Sequence, residues 1–129
     1  MSGRFHHLDI YVADLVRSVE FWGPFLEQLG FSKAADRPAA KSWQAASVEI
    51  FFVQAEAEFV AQGYHRKRIG LNHLAFAVDS RDELVALLGW VTERGQRLLY
   101  AGAIEETATQ HRFFFEDPDR IKVEVVVAR

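Results

Sequence analysis

An α+β fold built from one βαβββ module written twice is what this sequence predicts, on three observations. The segments His7-Leu8-Asp9-Ile10-Tyr11-Val12 and His73-Leu74-Ala75-Phe76-Ala77-Val78 read alike, 66 residues apart, each an alternating strand that opens on histidine. Each is followed within a few residues by a helix-like stretch. Each half then closes on β-like runs, and in the second half the last two are separated by strong hairpin-turn chemistry.

The first strand covers about Phe5–Val12, with Leu8, Ile10 and Val12 on one face and His7, Asp9 and Tyr11 on the other. Asp14 stands as an N-cap, and Leu15, Ser18, Val19, Trp22, Leu26 and Leu29 recur at helical spacing until Gly30 supplies the stop. Gly23-Pro24 falls inside this helix. Proline lacks the N–H that the helical ladder uses, so a kink or a restart is expected there. A small-residue, proline-containing stretch, Ala34–Ala40, comes next, and the second strand of this module has the faintest pattern of all. Two β-like runs follow at Lys41–Ala45 and Val48–Gln54. The second is nearly all apolar, as in a strand covered on both faces, with Glu49 as its one charged member. Ala55–Gly70 has mixed charge, no period and glycine at 63 and 70, and reads as a linker.

The second module repeats the order. A strand at Leu71–Val78 leads to Ser80-Arg81-Asp82-Glu83, which fits a capping box, and Leu84, Leu87, Leu88 and Val91 form one helical stripe that ends near Gly95. Strands are expected at about Arg97–Tyr100, His111–Glu116 and Ile121–Ala128, with Asp117-Pro118-Asp119-Arg120 as the hairpin turn. The aromatic residues Phe113–Phe115, Trp22, Trp43 and Trp90 are most simply core packing. The chain fits a single domain over 1–129, with module one about 5–55, a linker at 56–70 and module two about 71–129.

Composition narrows the chemistry. A net charge of −3 gives no electrostatic reason to expect nucleic acid or an anionic membrane. The one basic cluster, His65-Arg66-Lys67-Arg68, reads as a solvated linker or as the mouth of a pocket for an anionic ligand. Cysteine is absent, which excludes disulfides, thiolate ligands, iron–sulfur clusters and a cysteine nucleophile, so any metal is held by nitrogen and oxygen. Met1-Ser2-Gly3-Arg4-Phe5 lacks the apolar core of a signal peptide and no run is long enough to span a membrane, so a cytoplasmic location is expected.

The order of motifs resembles the vicinal oxygen chelate superfamily, which includes glyoxalase I, methylmalonyl-CoA epimerase, extradiol dioxygenases and bleomycin-sequestering proteins. The resemblance is carried by His7-Leu8-x-Ile10-x-Val12, Asp14-Leu15-x-x-Ser18-Val19-Glu20-Phe21-Trp22 and Leu29-Gly30-Phe31. In the second half it is carried by Asn72-His73-Leu74-Ala75-Phe76-x-Val78 and by Phe114–Glu124, which resembles a Phe-x-Asp-Pro-Asp-Gly hairpin followed by a Glu-bearing strand. Arg120 stands where that pattern has glycine.

The resemblance implies two modules paired into a half-open mixed-sheet barrel around one divalent metal. It assigns His7, His73 and Glu124 as ligands of Fe, Mn, Ni, Co or Zn, leaving open positions for a small-molecule substrate with two vicinal oxygens. It also implies a homodimer. Glyoxalase-like isomerase or lyase chemistry comes first, extradiol-type dioxygenase chemistry second. A non-catalytic protein that binds a small molecule such as an antibiotic is the competing class.

Each site residue also has a plainer reading. His7 and His73, taken alone, fit core-edge imidazoles bonded to backbone carbonyls; their equivalent placement favours ligation. Glu124, inside Val123-Glu124-Val125-Val126-Val127, needs a partner, either a metal or Arg112 across the hairpin. The place matching Glu124 in the first module falls near Phe51, which cannot bind a metal. Glu49, two residues earlier on the same face, is a ligand, a nearby base or an edge carboxylate. Asp9 is a proton carrier or a solvated strand-edge carboxylate. Tyr11, Phe51 and Arg112 are candidates to line the substrate pocket. His6, on the opposite face from His7, His65 and His111 are expected to be structural.

Overall fold

The computed structural model describes residues 1–129, which divide into two compact units, 1–63 and 64–129. The first contains β1 (His7–Val12), α1 (Leu15–Gln28), β2 (Ser32–Arg37), β3 (Ala40–Ala45), β4 (Val48–Gln54) and a single-turn α2 (Ala57–Val60). The second contains β5 (Leu74–Ala77), α3 (Arg81–Glu93), a 3-10 turn at Tyr100–Gly102, β6 (Glu105–Glu106), β7 (Gln110–Glu116) and β8 (Lys122–Ala128). The sheet orders are β1-β4-β3-β2 and β5-β8-β7-β6, with the first strand parallel to the last in each and the remaining pairs antiparallel. The tandem βαβββ repeat is therefore present, and both sheets are mixed and open.

In the first unit the alternation in β1 holds: Ile10 and Val12 are buried while His7, Asp9 and Tyr11 are exposed. Ile10 and Val12 join Ile50, Phe52 and Trp43 under α1, whose Trp22 ring stacks on Phe52 at 5.1 Å between centroids. Fully burying such side chains contributes about 1.5–3 kcal/mol each. Asp14 caps α1 through Arg17 N–H, and the Gln54 side chain accepts from Leu15 N–H at 2.9 Å while donating to the Ala13 carbonyl at 2.8 Å. The strand expected to be covered on both faces, β4, instead alternates, with only Ile50 and Phe52 buried. Of the kink or restart expected at Pro24, the restart does not occur. Helix α1 runs through it to Gln28, because its neighbours Gly23, Phe25 and Leu26 are anchored in the core.

The stretch Ala34–Ala40 is largely strand: β2 pairs with β3 despite a register shift between Lys33 and Asp36. Its exposed edge position leaves no apolar alternation to read. Lys41 and Lys33 both bond the Asp36 carboxylate and hold its pKa down at about 2.

The second unit shows larger departures. β5 is shorter than the expected Leu71–Val78, because the Tyr64 hydroxyl takes the Leu71 carbonyl that a longer strand would use. Burial raises the pKa of that phenol. The expected strand at Arg97–Tyr100 reduces to a bridge between Leu98 and Phe115, and the edge resumes only at β6. Between them Tyr100, Ala101 and Gly102 take φ of 53°, 64° and 68°, a left-handed turn that breaks the strand. The capping box at Ser80 and Glu83 forms as expected. At the hairpin, Asp117 Oδ1 accepts from Asp119 and Ile121 N–H, both at 2.8 Å, and Arg120 adopts φ 68°, the left-handed geometry that glycine would favour. Leu84, Leu87 and Val91 of α3 pack with Phe113, Phe115, Val123 and Val125. Trp90 is not core; it is half-exposed beneath Arg94, whose guanidinium carbon lies 3.6 Å from the ring centroid.

Candidate functional site

The pairing of β7 with β8 puts Arg112, Phe114 and Glu116 on one sheet face with Val126, Glu124 and Lys122, opposite the face that carries the buried Phe113, Phe115, Val123 and Val125. His73 stands one residue before β5, whose Ala75 lies beside Glu124. Its Nε2 comes within 3.0 Å of Glu124 Oε2, and its Nδ1 within 2.6 Å of Asn72 Oδ1. The Asn72 contact assigns the proton to Nδ1, which turns the Nε2 lone pair toward a carboxylate oxygen. Two lone-pair atoms at that separation need a proton or a cation between them. Glu124 is only 7% exposed, so leaving it uncompensated costs on the order of several kcal/mol. The spacing also suits metal ligation: donors at right angles on bonds of about 2.1 Å are about 3.0 Å apart.

The expected pairing of Arg112 with Glu124 does not form. Arg112 stands opposite Val126, and its Nε donates to Glu105 at 3.3 Å, while its guanidinium lies 5.4 Å from the Phe114 ring.

In the first unit His7, Asp9 and Tyr11 of β1 share a face with Glu49, Phe51 and Val53 of β4. His7 Nε2 is 3.7 Å from Asp9 Oδ1, its ring meets Phe51 edge-on at 5.8 Å, and its Nδ1 is 2.8 Å from Nδ1 of His6. Tyr11 is exposed. Glu49 is next to His7 in register but turns toward β3, accepting from the Ser42 hydroxyl at 2.6 Å. Phe51 stands beside Asp9 just as Glu124 stands beside Ala75, so the first sheet carries a phenyl ring where the second carries a carboxylate. Glu49, two residues before Phe51, corresponds to Lys122, two residues before Glu124.

Within neither unit do three His, Asp or Glu side chains converge closely enough to hold a metal ion. His7 belongs to the first unit and the His73–Glu124 pair to the second. His65 Nδ1 accepts from Lys67 N–H at 3.1 Å, and His111 is half-buried with Nδ1 3.5 Å from Glu106. Neither joins the faces just described. The sequence reading missed Asn72, Phe114, Lys122 and Tyr100 as members of the second face. Alternation along β8 and β7 was the available signal for Lys122 and Phe114; nothing local marks the other two.

Comparison with known proteins decides the family. The sequence profile of the Glyoxalase/Bleomycin resistance protein/Dioxygenase superfamily matches residues 4–125, a span that includes His7, His73 and Glu124. The chain belongs to this superfamily. A relative, the uncharacterized protein YqjT of Bacillus subtilis (strain 168), is 39% identical over 94% of this chain and 96% of its own length. A glyoxalase-like protein of Bacillus halodurans, known from a crystal structure, is 38% identical with a TM-score of 0.92, covering 97% of this chain and 96% of that one. The lactoylglutathione lyase of Agrobacterium tumefaciens shares the fold at 14% identity and a TM-score of 0.69, over 98% and 94% of the two chains. No helix of this superfamily member is long and apolar enough to cross a membrane.

Proposed function

We propose that this protein is a metal-dependent enzyme of the glyoxalase-like type, chelating the vicinal oxygens of a small substrate for isomerase or lyase chemistry. One observation carries this reading: the 3.0 Å approach of His73 Nε2 to a buried carboxylate oxygen of Glu124, with Asn72 fixing the tautomer that leaves the lone pair free. His73 and Glu124 are two donors, and His7 is the third by its equivalent place in the repeat. The donor set suits Fe(II), Mn(II), Ni(II), Co(II) or Zn(II). Such an ion, when bound, supplies a Lewis acid for the substrate oxygens. The chain's own side chains do the rest: Asp9 and Glu49 carry the proton, and Tyr11, Phe51 and Arg112 line the substrate. We assign the protein to the cytoplasm, acting as a homodimer on small molecules and not on nucleic acid.

Two further readings each have an observation in their favour. Two imidazoles and one carboxylate are also the donors of non-heme iron oxygenases, which supports an extradiol-type dioxygenase. Phe51 at the place equivalent to Glu124 removes a fourth donor, which supports a non-catalytic binding protein.

The test is metal content by elemental analysis of tag-free protein, for the wild type and for His73→Ala. Near-stoichiometric transition metal that falls in the variant is the expected result. No metal after reconstitution with Fe(II), Mn(II), Ni(II) and Zn(II) overturns the enzyme reading and leaves the metal-free binding protein.

A further inference from the structure

Lys122 is the cation on the His73–Glu124 face that forms no ion pair with a carboxylate. Its register partner Glu116 is 2% exposed and already committed, Oε1 to Arg66 at 3.2 Å and Oε2 to Arg120 at 3.1 Å. Glu124, two residues along the same strand face, is engaged by His73, and Glu105 by Arg112. Lys122 Nζ donates instead to the Tyr100 hydroxyl at 2.7 Å, and lies 4.8 Å from that ring and 4.5 Å from the Phe114 ring. These contacts leave four cations, Arg66, Arg112, Arg120 and Lys122, against three carboxylates, Glu105, Glu116 and Glu124.

Phe114 ties this ammonium to the histidine. His73 meets its ring edge-on at 6.1 Å, and Tyr100 does so at 5.2 Å. Tyr100 is held there by the left-handed turn at 100–102, a conformation strained for its non-glycine residues that persists only where the surroundings enforce it. Accepting from Lys122 leaves the Tyr100 O–H free to donate. An ammonium N–H and a phenol O–H side by side match the two oxygens of a carboxylate. A phosphate would call for more than one free cation, and Arg112 is taken by Glu105.

The geometry points to Lys122 and Tyr100 as a carboxylate-recognition subsite beside the His73–Glu124 pair, so that the substrate carries a carboxylate next to the oxygens it presents for chelation. The placement of the subsite next to chelated oxygens rests on the proposed function; the anion site itself does not.

The test is a chemical-shift titration of metal-stripped full-length protein with isobutyrate and with isobutyramide, which have the same shape but differ in charge. Isobutyrate is expected to saturate shifts at Lys122, Tyr100 and Phe114, while isobutyramide leaves them unmoved. Lys122→Met should weaken isobutyrate at least about 10-fold, and Tyr100→Phe, which keeps the ring but loses the donor, about 3- to 10-fold. Lys33→Met should have no effect. Equal responses to both probes, or wild-type affinity in both variants, overturn the subsite. Isobutyrate bound through Lys122 in a protein that takes up no metal overturns the chelate and keeps the subsite. Metal bound with no discrimination between the probes does the reverse.

Discussion

Glu124→Gln separates a metal ligand from a structural ion pair, because the glutamine amide has the shape of the carboxylate but can donate to the His73 Nε2 lone pair. In metal-free protein the change replaces the carboxylate's approach to Nε2 by a donated amide N–H, a neutral contact of about 0.5–1.5 kcal/mol, and no longer buries a charge at a site only 7% exposed. The expected net effect is under about 1 kcal/mol. With free metal at 100 times its Kd, binding stabilises the wild type by about 2.7 kcal/mol. Unfolding entropy near 2.1 cal/mol/K per residue gives about 270 cal/mol/K for 129 residues, so Tm rises by about 10 °C. Loss of a charged donor weakens affinity by at least the about 100-fold that outer-shell changes reach, which leaves about 0.4 kcal/mol, or under about 2 °C, at the same metal concentration. Thermal melts of chelator-stripped protein, with and without each candidate metal, read both numbers. The same rise in wild type and variant would refute ligation by Glu124. A metal-free variant destabilised by more than about 3 kcal/mol would show that Glu124 serves the fold as an ion pair with His73.

Three other outcomes follow from the packing and the charges. Gly23→Ala and Gly89→Ala gain the same helix propensity of about 1 kcal/mol, but a Cβ at 23 would sit 2.7 Å from Trp43 Cζ2, whereas at 89 nothing lies within 4 Å. Urea midpoints should show Gly89→Ala stabilised by about 0.5–1 kcal/mol and Gly23→Ala destabilised by about 1–2 kcal/mol, and equal shifts would contradict the contact. Arg66→Met removes one of the two cations on buried Glu116 and should cost about 1–3 kcal/mol with faster amide exchange across His65–Gly70; unchanged exchange there would show that Arg66 does not anchor this segment. The lowered pKa of Asp36 makes its ion pairs a stabilising contribution that is present above about pH 3.8 and lost as pH falls through about 2. The stability difference between wild type and Asp36→Asn should therefore be constant above pH 4 and vanish near pH 2, and a pH-independent difference would remove the two lysines as its cause.

The elements legible in sequence are those in which one face is buried and the other is not. β1 alternates because Ile10 and Val12 pack under α1 while His7, Asp9 and Tyr11 stay out, and the cap at Asp14, the box at Ser80–Glu83 and the turn at Asp117 use local chemistry that any reading of neighbours finds. β2 and the split edge at Leu98 and Glu105–Glu106 are illegible for the opposite reason: their pairing rests on backbone bonds to β3 and β7, and their side chains are mostly exposed. At Pro24 the helix continues without a restart because core contacts on either side outweigh one missing hydrogen bond.

The site divides along a different line. Duplication makes the two units agree in the buried face and lets them differ on the face that carries His7 and His73. His7 and His73 keep equivalent places, but Glu49 has become Lys122 and Phe51 has become Glu124 on the corresponding strand. A repeat search sees the first kind of position and is blind to the second, since divergence carries no periodic signal. The partners of Glu124 and Lys122 lie 51 and 22 residues away in sequence, at His73 and Tyr100. Only strand register brings them together, so the buried carboxylate advertised in sequence that it needed a partner without saying which one. The two sheets differ in the same way: the second carries His73 edge-on to Phe114, while the first carries His7 edge-on to Phe51 and a carboxylate, Glu49, that accepts from Ser42.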